Sequence, residues 1–262
     1  MDPAAPAASR PLLLDVVRSE WTKFWSVRST SWALLGTAAA LVSLAAVFPA
    51  SGPSAPSDPT AYGLSGFFQA QLGAAALGVL VITSEYATGS IRATLTATPQ
   101  RVAVLAAKTI VVAAVTTAMG IASAFLAFLV AAQAFAGRGI SIALTDPGAL
   151  RAVIGAGLYL AVVAVLALAL GVLLRSSVST YAMVVALMLI LPGIATALPA
   201  TWQSSVVPYL PPEAGQAIIG HTRFAPGGSD LLAPWTGLAI LCGYTAIALA
   251  VAAVTLTRRD SR

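Results

Sequence analysis

The sequence has 262 residues, of which 58% are hydrophobic and only 9% are charged, and its mean hydropathy is +0.90. Soluble domains carry about 25% charged residues, so a chain this apolar cannot cover itself with a polar surface, and lipid must surround most of it. The formal net charge is +5, and the single cysteine, Cys242, excludes an intramolecular disulfide and a cysteine metal site.

The segment before the first apolar stretch is amphipathic. On a helical wheel with about 100° per residue, an apolar arc holds Leu13, Leu14, Val17, Trp21, Phe24 and Trp25, and the opposite side holds Asp15, Ser19, Thr22 and Ser26. Charged residues interrupt it, which excludes a cleavable signal peptide. The pattern predicts an interfacial helix in the lipid headgroup region, and its expected anchors are Trp21, Lys23, Trp25 and Arg28. A soluble helix packed on a partner is the alternative.

Six stretches are long and apolar enough to cross about 30 Å of hydrocarbon. They run approximately over residues 31–49, 64–83, 109–133, 152–174, 181–198 and 234–257. The chain therefore divides into an N-terminal tail with the interfacial helix (1–30), a six-helix transmembrane domain (31–257) and a short tail (258–262). The predicted fold class is an all-α integral membrane protein.

The lysines and arginines are distributed unevenly between the connectors. Eleven of the 14 lie in the two tails and in the connectors after the second and fourth spans, and three lie in the other connectors. Cytoplasmic loops retain positive charge, so both termini are predicted to be cytoplasmic. The basic residues follow the membrane edges rather than forming a stripe, so no nucleic-acid partner is expected.

The connector after the second span, residues 84–101, is the most informative one. Glu85 lies at the membrane boundary, Arg92 follows two helical turns later, and Thr98-Pro99 is a suitable N-cap and first-turn pair. The sequence predicts a short cytoplasmic helix, a break at Thr98, and then the start of the third span. An ordinary polar loop is the alternative.

The connector over residues 199–233 is too apolar for a simple solvent loop, so we expect short helices that dip back into the outer leaflet, where irregular backbone must be buried in protein or line a cavity. Its ionisable residues are Glu213, His221, Arg223 and Asp230. For His221, a surface histidine is favoured over a pH-sensitive or substrate-contacting group.

Within the spans the polar side chains are uncharged. Gln69 and Gln71 lie in the second span, and Thr116 and Thr117 lie in the third. Their default role is hydrogen bonding between helices, and a possible second role is to line a substrate pathway. The lack of carboxylates inside the spans argues against a carrier coupled to protons or sodium.

Three clusters of residues stand at span boundaries. They are Ser19-Glu20-Trp21-Thr22-Lys23 with Ser26-Val27-Arg28-Ser29-Thr30 before the first span; Glu85-Tyr86, Gly89, Ile91-Arg92, Leu95, Thr98-Pro99 and Arg101 after the second; and Tyr209-Leu210-Pro211-Pro212 with Ala214-Gly215 before the sixth. Together they resemble the permeases of ABC type-2 exporters, particularly the compact actinobacterial branch. In that family the middle cluster looks like the coupling helix that docks on the ATP-binding subunit. The docking residues that this implies are Glu85, Tyr86, Gly89, Arg92, Thr98, Pro99 and Arg101.

The resemblance implies a half-transporter in a bacterial plasma membrane that exports a hydrophobic or amphipathic substrate. Two permease copies, as a homodimer or a heterodimer, would form the pathway, and separate subunits would bind ATP and Mg. Close packing of Gly- and Ala-rich faces, for example around Gly73 and Gly78, is expected at the dimer contact.

The chain itself is not expected to be an enzyme or to hold a metal or cofactor. A phosphate-binding P-loop needs a Gly-Lys-Ser/Thr end, but Lys23 follows Thr22 and Lys108 follows Ala107. ATP hydrolysis would therefore take place on the partner subunit.

Two other functions stay open on the sequence. The same fold could act as an immunity, sensing or scaffold protein without transport. An intramembrane serine protease is a remote alternative, because Gly63-Leu64-Ser65-Gly66 matches the Gly-x-Ser-Gly pattern of rhomboids and His221 could serve as the base.

Overall fold

The computed structural model describes residues 13–51, 56, 58–90, 96, 100–195, 197–220 and 232–259. Within these ranges the chain forms helices joined by turns, with no strand. Six of the helices are long and apolar enough to span a membrane. The predicted all-α class and the number of candidate spans are thereby confirmed, and the fold fits a multi-pass membrane protein.

The helices are α1 (Leu13–Ser26), α2 (Arg28–Ser51), α3 (Pro59–Gly63), α4 (Phe67–Thr88), α5 (Arg101–Ala136), α6 (Ala149–Leu174), α7 (Ser177–Ala195), α8 (Ala200–Val206), α9 (Pro211–Gln216) and α10 (Pro234–Arg259). The candidate spans are α2, α4, α5, α6, α7 and α10. A π-helical section, Ala186–Ile190, lies inside α7, and a 3₁₀ turn, Val207–Tyr209, follows α8.

Each predicted span falls largely within one of these helices, but the ends differ. The largest difference is at α5, which begins at Arg101 rather than near Thr109. The apolar scan stopped at Lys108 because a charge inside a span is expensive. The helix continues through Lys108 because buried carboxylates neutralise its charge, as described below. At α7 the start moves to Ser177, since the Ser176 side chain accepts a hydrogen bond from the Ser179 N–H and caps the helix there.

Helix α6 lies at the centre of the bundle. In its apolar window 72% of the residues are buried, against 22% for α2 and 28% for both α7 and α10. It packs against α4, α5 and α10. The three less buried helices therefore lie at the periphery, where their apolar faces are available to lipid.

Glycines allow these helices to approach each other closely. At the crossing of α5 and α6, a Cβ added to Gly120 would lie 2.8 Å from the Gly157 Cα. In α4, Gly73 packs on Thr37 of α2, and Gly78 packs on the carbonyl oxygen of Ala164 in α6. Both glycines of α4 thus pack on other helices of the same chain, and the expected dimer contact stays a prediction.

The contacts between helix ends define two ends of the bundle. At one of them the Ser177 hydroxyl donates to Thr83 Oγ1 at 2.7 Å, and Arg101 Nη1 donates to the carbonyl of Leu256 at 2.9 Å. We call this the charged end, because α1 and the ion pairs described below also lie there. At the opposite end the Arg138 guanidinium donates to the carbonyl oxygen of Pro49.

Helix α1 packs against α5. The face that it buries is only partly the apolar arc that the sequence predicted. Its buried residues are Val16, Glu20 and Phe24. Trp21 and Trp25 remain 46% and 49% exposed, in edge-to-face contact with each other. The buried face is therefore rotated from the predicted apolar arc and includes a carboxylate, while the two tryptophans stay on the outside of the protein.

The long connector before α10 contains two short helices, α8 and α9, and their dipping into the outer leaflet stays a prediction. Residues 212–219 are all buried, and α9 packs on α10. Glu213 is 1% exposed, so it is a core residue rather than a loop residue. The remaining ionisable residues of this connector, His221, Arg223 and Asp230, lie outside the described residues.

Candidate functional site

A cluster of four charged side chains lies at the charged end, and its centre is Lys108. The ammonium of Lys108 is 2.6 Å from Glu20 Oε2 and 2.7 Å from Glu85 Oε1. The side chains of Lys108 and Glu20 are only 2% and 4% exposed, and that of Glu85 is 12% exposed. Helices α1, α4 and α5 therefore meet at one buried ammonium group.

Lys23 completes the cluster from the outside. Its ammonium lies 2.8 Å from Glu20 Oε1 and 3.5 Å from Glu85 Oε1, and its side chain is 43% exposed. Two cations and two carboxylates give the cluster no net charge. Buried charges are tolerated only when they are paired and hydrogen-bonded, and this arrangement satisfies that requirement for Glu20 and Lys108. We call these four residues the charge cluster.

The local sequence explains how each side chain reaches the charge cluster. Glu20 and Lys23 are three residues apart on α1, a spacing that places them on one helical face. Glu85 lies in the last turn of α4, which ends at Gly89 with a left-handed φ of 71°. Lys108 lies two turns into α5, on the side that α1 covers.

The electrostatics favour a charged Lys23. Burial alone would lower the pKa of its ammonium, but the hydrogen bond and charge of Glu20, together with those of Glu85, raise that pKa above its usual value. Opposite charges within hydrogen-bond distance favour the protonated form. Lys23 is therefore a permanent cation at neutral pH.

A cavity of about 510 Å³ adjoins the charge cluster, between α1, α2, α4 and α5. All four charged residues line it, together with hydroxyl side chains and with apolar ones such as Val81 and Val111. Glu85 Oε2 is buried and has no hydrogen-bond partner in the described part of the chain. A carboxylate oxygen in that state can accept a further donor.

The predicted docking residues are only partly described. Glu85 belongs to the charge cluster, Tyr86 is its neighbour on α4, and Gly89 ends that helix. Residues 84–88 continue α4 rather than starting a separate helix, which corrects the predicted boundary. Arg92, Thr98 and Pro99 lie outside the described residues, so the proposed coupling helix stays a prediction.

Tyr86 also takes part in a second contact at the charged end. The Arg175 guanidinium carbon lies 5.3 Å from the centre of the Tyr86 ring, a cation–π distance. Arg175 has a φ of 55°, a left-handed conformation that costs a residue with a Cβ about 1 kcal/mol or more. The turn between α6 and α7 is thus fastened to the end of α4. In the sequence analysis, Arg175 served only as one of the basic residues that predict which connectors are cytoplasmic.

Arg101 and Arg28 have different surroundings. Arg101 bonds the last turn of α10, as noted above, and so closes the charged end. Arg28 is exposed at the first residue of α2. Of the four predicted interfacial anchors, Lys23 is the one whose side chain is committed to the charge cluster.

The four residues predicted to line a substrate pathway differ in burial and in hydrogen bonding. Gln71 is fully buried and accepts a hydrogen bond from the Tyr159 hydroxyl, which in turn accepts one from Gln216 Nε2 at 3.4 Å. This joins α4, α6 and α9, so Gln71 fills the default role of bonding between helices.

The other three pathway candidates differ from Gln71. Thr116 is buried, but its hydroxyl donates to the Val112 carbonyl of its own helix at 2.6 Å. Gln69 and Thr117 are half-buried. Gln69 Oε1 has no hydrogen-bond partner within the described ranges.

The serine protease pattern falls in the turn between α3 and α4. The Ser65 hydroxyl is buried, and no described residue hydrogen-bonds to it. His221 lies outside the described part of the chain. Among the residues that the structure describes, no three His, Cys, Asp or Glu side chains are grouped so as to hold a metal ion.

Comparison with protein families places the chain. Residues 54–261 match DUF2705, a protein family of unknown function. The chain belongs to the DUF2705 family. No curated protein matches it significantly. In this DUF2705 member the matched residues include Glu85 and Lys108, whereas Glu20 and Lys23 precede the match. Half of the charge cluster thus comes from the family region and half from α1.

Proposed function

We propose that the chain is the membrane-spanning permease subunit of an ATP-driven ABC exporter, and that a separate ATP-binding subunit docks at the charged end. The observation that carries the proposal is the charge cluster, which ties α1, α4 and α5 together at the base of the segment over residues 84–101. It supports the resemblance of that segment to a coupling helix.

The charge cluster is suited to transmit force. Separating Lys108 from either carboxylate would leave a buried charge without its partner, which is strongly unfavourable. The Arg175–Tyr86 contact adds the turn between α6 and α7 to the same unit. A movement imposed on residues 84–101 would therefore displace these helix ends together rather than bend one loop.

Sidedness follows from the charge distribution. The connectors that meet at the charged end are the ones rich in lysine and arginine, so this end faces the cytoplasm of a bacterial plasma membrane, with both termini on that side. ATP and Mg belong to the partner subunit. A second permease copy, identical or homologous, completes a pathway for a hydrophobic or amphipathic substrate.

The test is co-purification with the ATP-binding protein encoded beside this chain, followed by measurement of ATP turnover. The wild-type permease should capture that protein and stimulate its turnover. Arg92→Glu should reduce capture by about tenfold, because each 1.4 kcal/mol of lost contact energy changes affinity tenfold. Glu85→Ala should reduce stimulation and leave insertion in the membrane intact.

Asp146→Asn is the matched control, since it removes a carboxylate from the opposite end, where Asp146 bonds the Ala143 N–H. It should behave as wild type. Undiminished capture and turnover in both Arg92→Glu and Glu85→Ala would contradict the docking assignment. A chain that captures no ATP-binding protein would support the immunity, sensing or scaffold role instead.

A further inference from the structure

Helix α7 changes its hydrogen-bonding pattern halfway along its length. It begins as an α-helix over Ser177–Val185, continues as a π-helix over Ala186–Ile190 and ends as an α-helix over Leu191–Ala195. The Leu191 N–H donates to the carbonyl oxygen of Ala186, five residues earlier. Turns of this kind are rare and occur frequently at functional sites, so a π-helix inside a candidate span requires a physical explanation.

Pro192 explains where the π-helical section lies. A proline has no N–H, and its ring clashes with the carbonyl group four residues earlier in an α-helix, which here is that of Met188. Prolines and π-helical turns are both common causes of helix kinks. At the next residue, Gly193, no described residue lies within 4 Å of the place where a Cβ would be. The sequence therefore gives α7 a point at which it can bend.

The part of α7 before this point is fixed to the bundle. Its first section packs on α4 and α6, where the side chain of Val184 is buried and the Ser177 hydroxyl bonds Thr83. The π-helical section packs on α9, and its Met188 is fully buried. The π-helix is therefore a pivot that is itself held in place.

The part of α7 after the pivot is held less firmly. Among the described residues, Leu191–Ala195 packs extensively only on the π-helical section. Leu191 and Ile194 are 40% and 64% exposed. Pro192 and Ala195 are buried, so this section lies against the protein without being extensively packed. Regions with few packed contacts open at a lower free energy than the core does.

Helix α8 continues the loosely held region. Within the described part of the chain it packs extensively only on the 3₁₀ turn that follows it, and its Trp202 is 62% exposed. Beyond it the chain is fixed again, because the Tyr244 hydroxyl of α10 donates to the carbonyl oxygen of Tyr209 at 3.0 Å. Two fixed points thus enclose Leu191–Ala195 and α8, which together we call the α7–α8 strap.

We propose that the α7–α8 strap is a movable lid at the end of the bundle opposite the charged end, and that it swings about the π-helical section while the first section of α7 stays in place. A hinge consists of a few residues that absorb the change in backbone angles, and lids move on the microsecond to millisecond timescale. The proposal does not depend on ATP-driven export, since an immunity or scaffold protein with this helix would bend at the same place.

The test measures distances between two spin labels on the full chain, which is reconstituted in lipid nanodiscs, diluted with unlabelled chain and frozen. In a Cys242→Ala background, one label is attached at Ile247→Cys, an exposed position of α10. The second is attached either at Ile194→Cys in the strap or at Val178→Cys near the start of α7, both of which are exposed. The Ile194 pair should give a broad distance distribution, because freezing traps every position of the lid. The Val178 pair should give a narrow one.

Pro192→Ala tests the hinge itself. It restores the missing N–H and removes the ring clash, so α-helical bonding can continue through the π-helical section. The broad distribution of the Ile194 pair should therefore be lost and replaced by a single narrow one. Pro49→Ala is the matched control, since Pro49 is also a proline inside a candidate span, and it should leave the Ile194 distribution broad.

Three results would overturn the proposal. The first is a narrow Ile194 distribution in the chain without a proline substitution, and the second is an unchanged width in Pro192→Ala. The third is a Val178 distribution as broad as that of Ile194, which would mean that the whole of α7 moves rather than its end. The comparison of Ile194 with Val178 needs no proline variant, so it decides the matter even if Pro192→Ala fails to fold.

Discussion

Lys108 carries a positive charge into a part of α5 that is otherwise apolar. Its neighbours Ala107, Val111 and Val112 are buried, so its ammonium depends on Glu20 and Glu85 for stabilisation. Removing one partner of a buried ion pair costs about 3–5 kcal/mol, because the remaining charges stay desolvated. Removing a cation together with its carboxylate partner should lower the free energy of unfolding by less, because no unpaired buried charge is left behind.

Lys108→Met should lower the free energy of unfolding by about 3–5 kcal/mol, measured by thermal or denaturant unfolding in detergent. Arg18→Gln, on the exposed side of α1, is the control and should stay within about 0.5 kcal/mol of wild type. The double variant Glu20→Gln/Lys108→Met should lose less than the sum of its single variants. If Lys108→Met were as stable as Arg18→Gln, the charge cluster would not contribute to the free energy of unfolding.

The sequence indicated only part of the charge cluster. Glu85 was predicted as a docking residue and Lys23 as an interfacial anchor, but Glu20 and Lys108 are 88 residues apart, and no local pattern pairs them. One signal was present: the chain has only two lysines, Lys23 and Lys108. Lys23 follows Glu20 by three residues, and Lys108 and Glu85 lie at the ends of the predicted third and second spans on the same side of the membrane, a coincidence that a charge count by side does not use.

At the scale of the elements, the close crossing of α5 and α6 sets the spacing of the bundle. Gly120 and Gly157 bring the two backbones into direct contact. Small residues favour such approaches in membranes, since van der Waals packing drives helix association there. Any side chain at this crossing has to push the helices apart or displace Ile121, which also packs on Gly157.

Gly120→Ala should therefore destabilise the protein by about 1–3 kcal/mol, the usual range for overpacking, measured by thermal unfolding in detergent. Gly243→Ala in α10 is the matched control, because a Cβ there meets nothing within 4 Å and the change in helix propensity is the same. Its stability should equal or exceed that of wild type. Equal melting temperatures for the two variants would contradict a close crossing at Gly120.

Hydropathy predicted where helices lie but not which helices touch. The scan located six spans because length and apolarity are properties of each segment alone. Contacts such as Gly78 on Ala164 depend on which of many similar Gly and Ala faces meet, and the sequence offers no means of choosing among them. The central place of α6 is consistent with its mean hydropathy of 2.7, the highest among the six.

For the whole molecule, the first described helix and the last turn of α10 lie at the same end. Contacts from Arg101 to Leu256 and from Lys108 to Glu20 join them through α5. An even number of spans requires this arrangement. The charge count predicts that this end faces the cytoplasm, because lysines and arginines are retained on the cytoplasmic side.

Cysteine labelling tests this direction. In a Cys242→Ala background, Ser90→Cys at the charged end should be protected from a membrane-impermeant maleimide in intact cells and become reactive after lysis. Ser141→Cys, exposed in the connector between α5 and α6, should react in intact cells. The reverse pattern would place the charged end outside and would refute the proposed docking of a cytoplasmic subunit.

Helix α5 is longer than the hydrocarbon layer of a bilayer is thick. Its 36 residues, at about 1.5 Å each, make a rod of about 54 Å, whereas the hydrocarbon is only about 30 Å thick. The helix must therefore extend beyond the hydrocarbon, tilt within it, or do both. Because α5 is continuous from Arg101 to Ala136, a rotation of the end near Arg101 on one side of the membrane would also move the end at Ala136 on the other side.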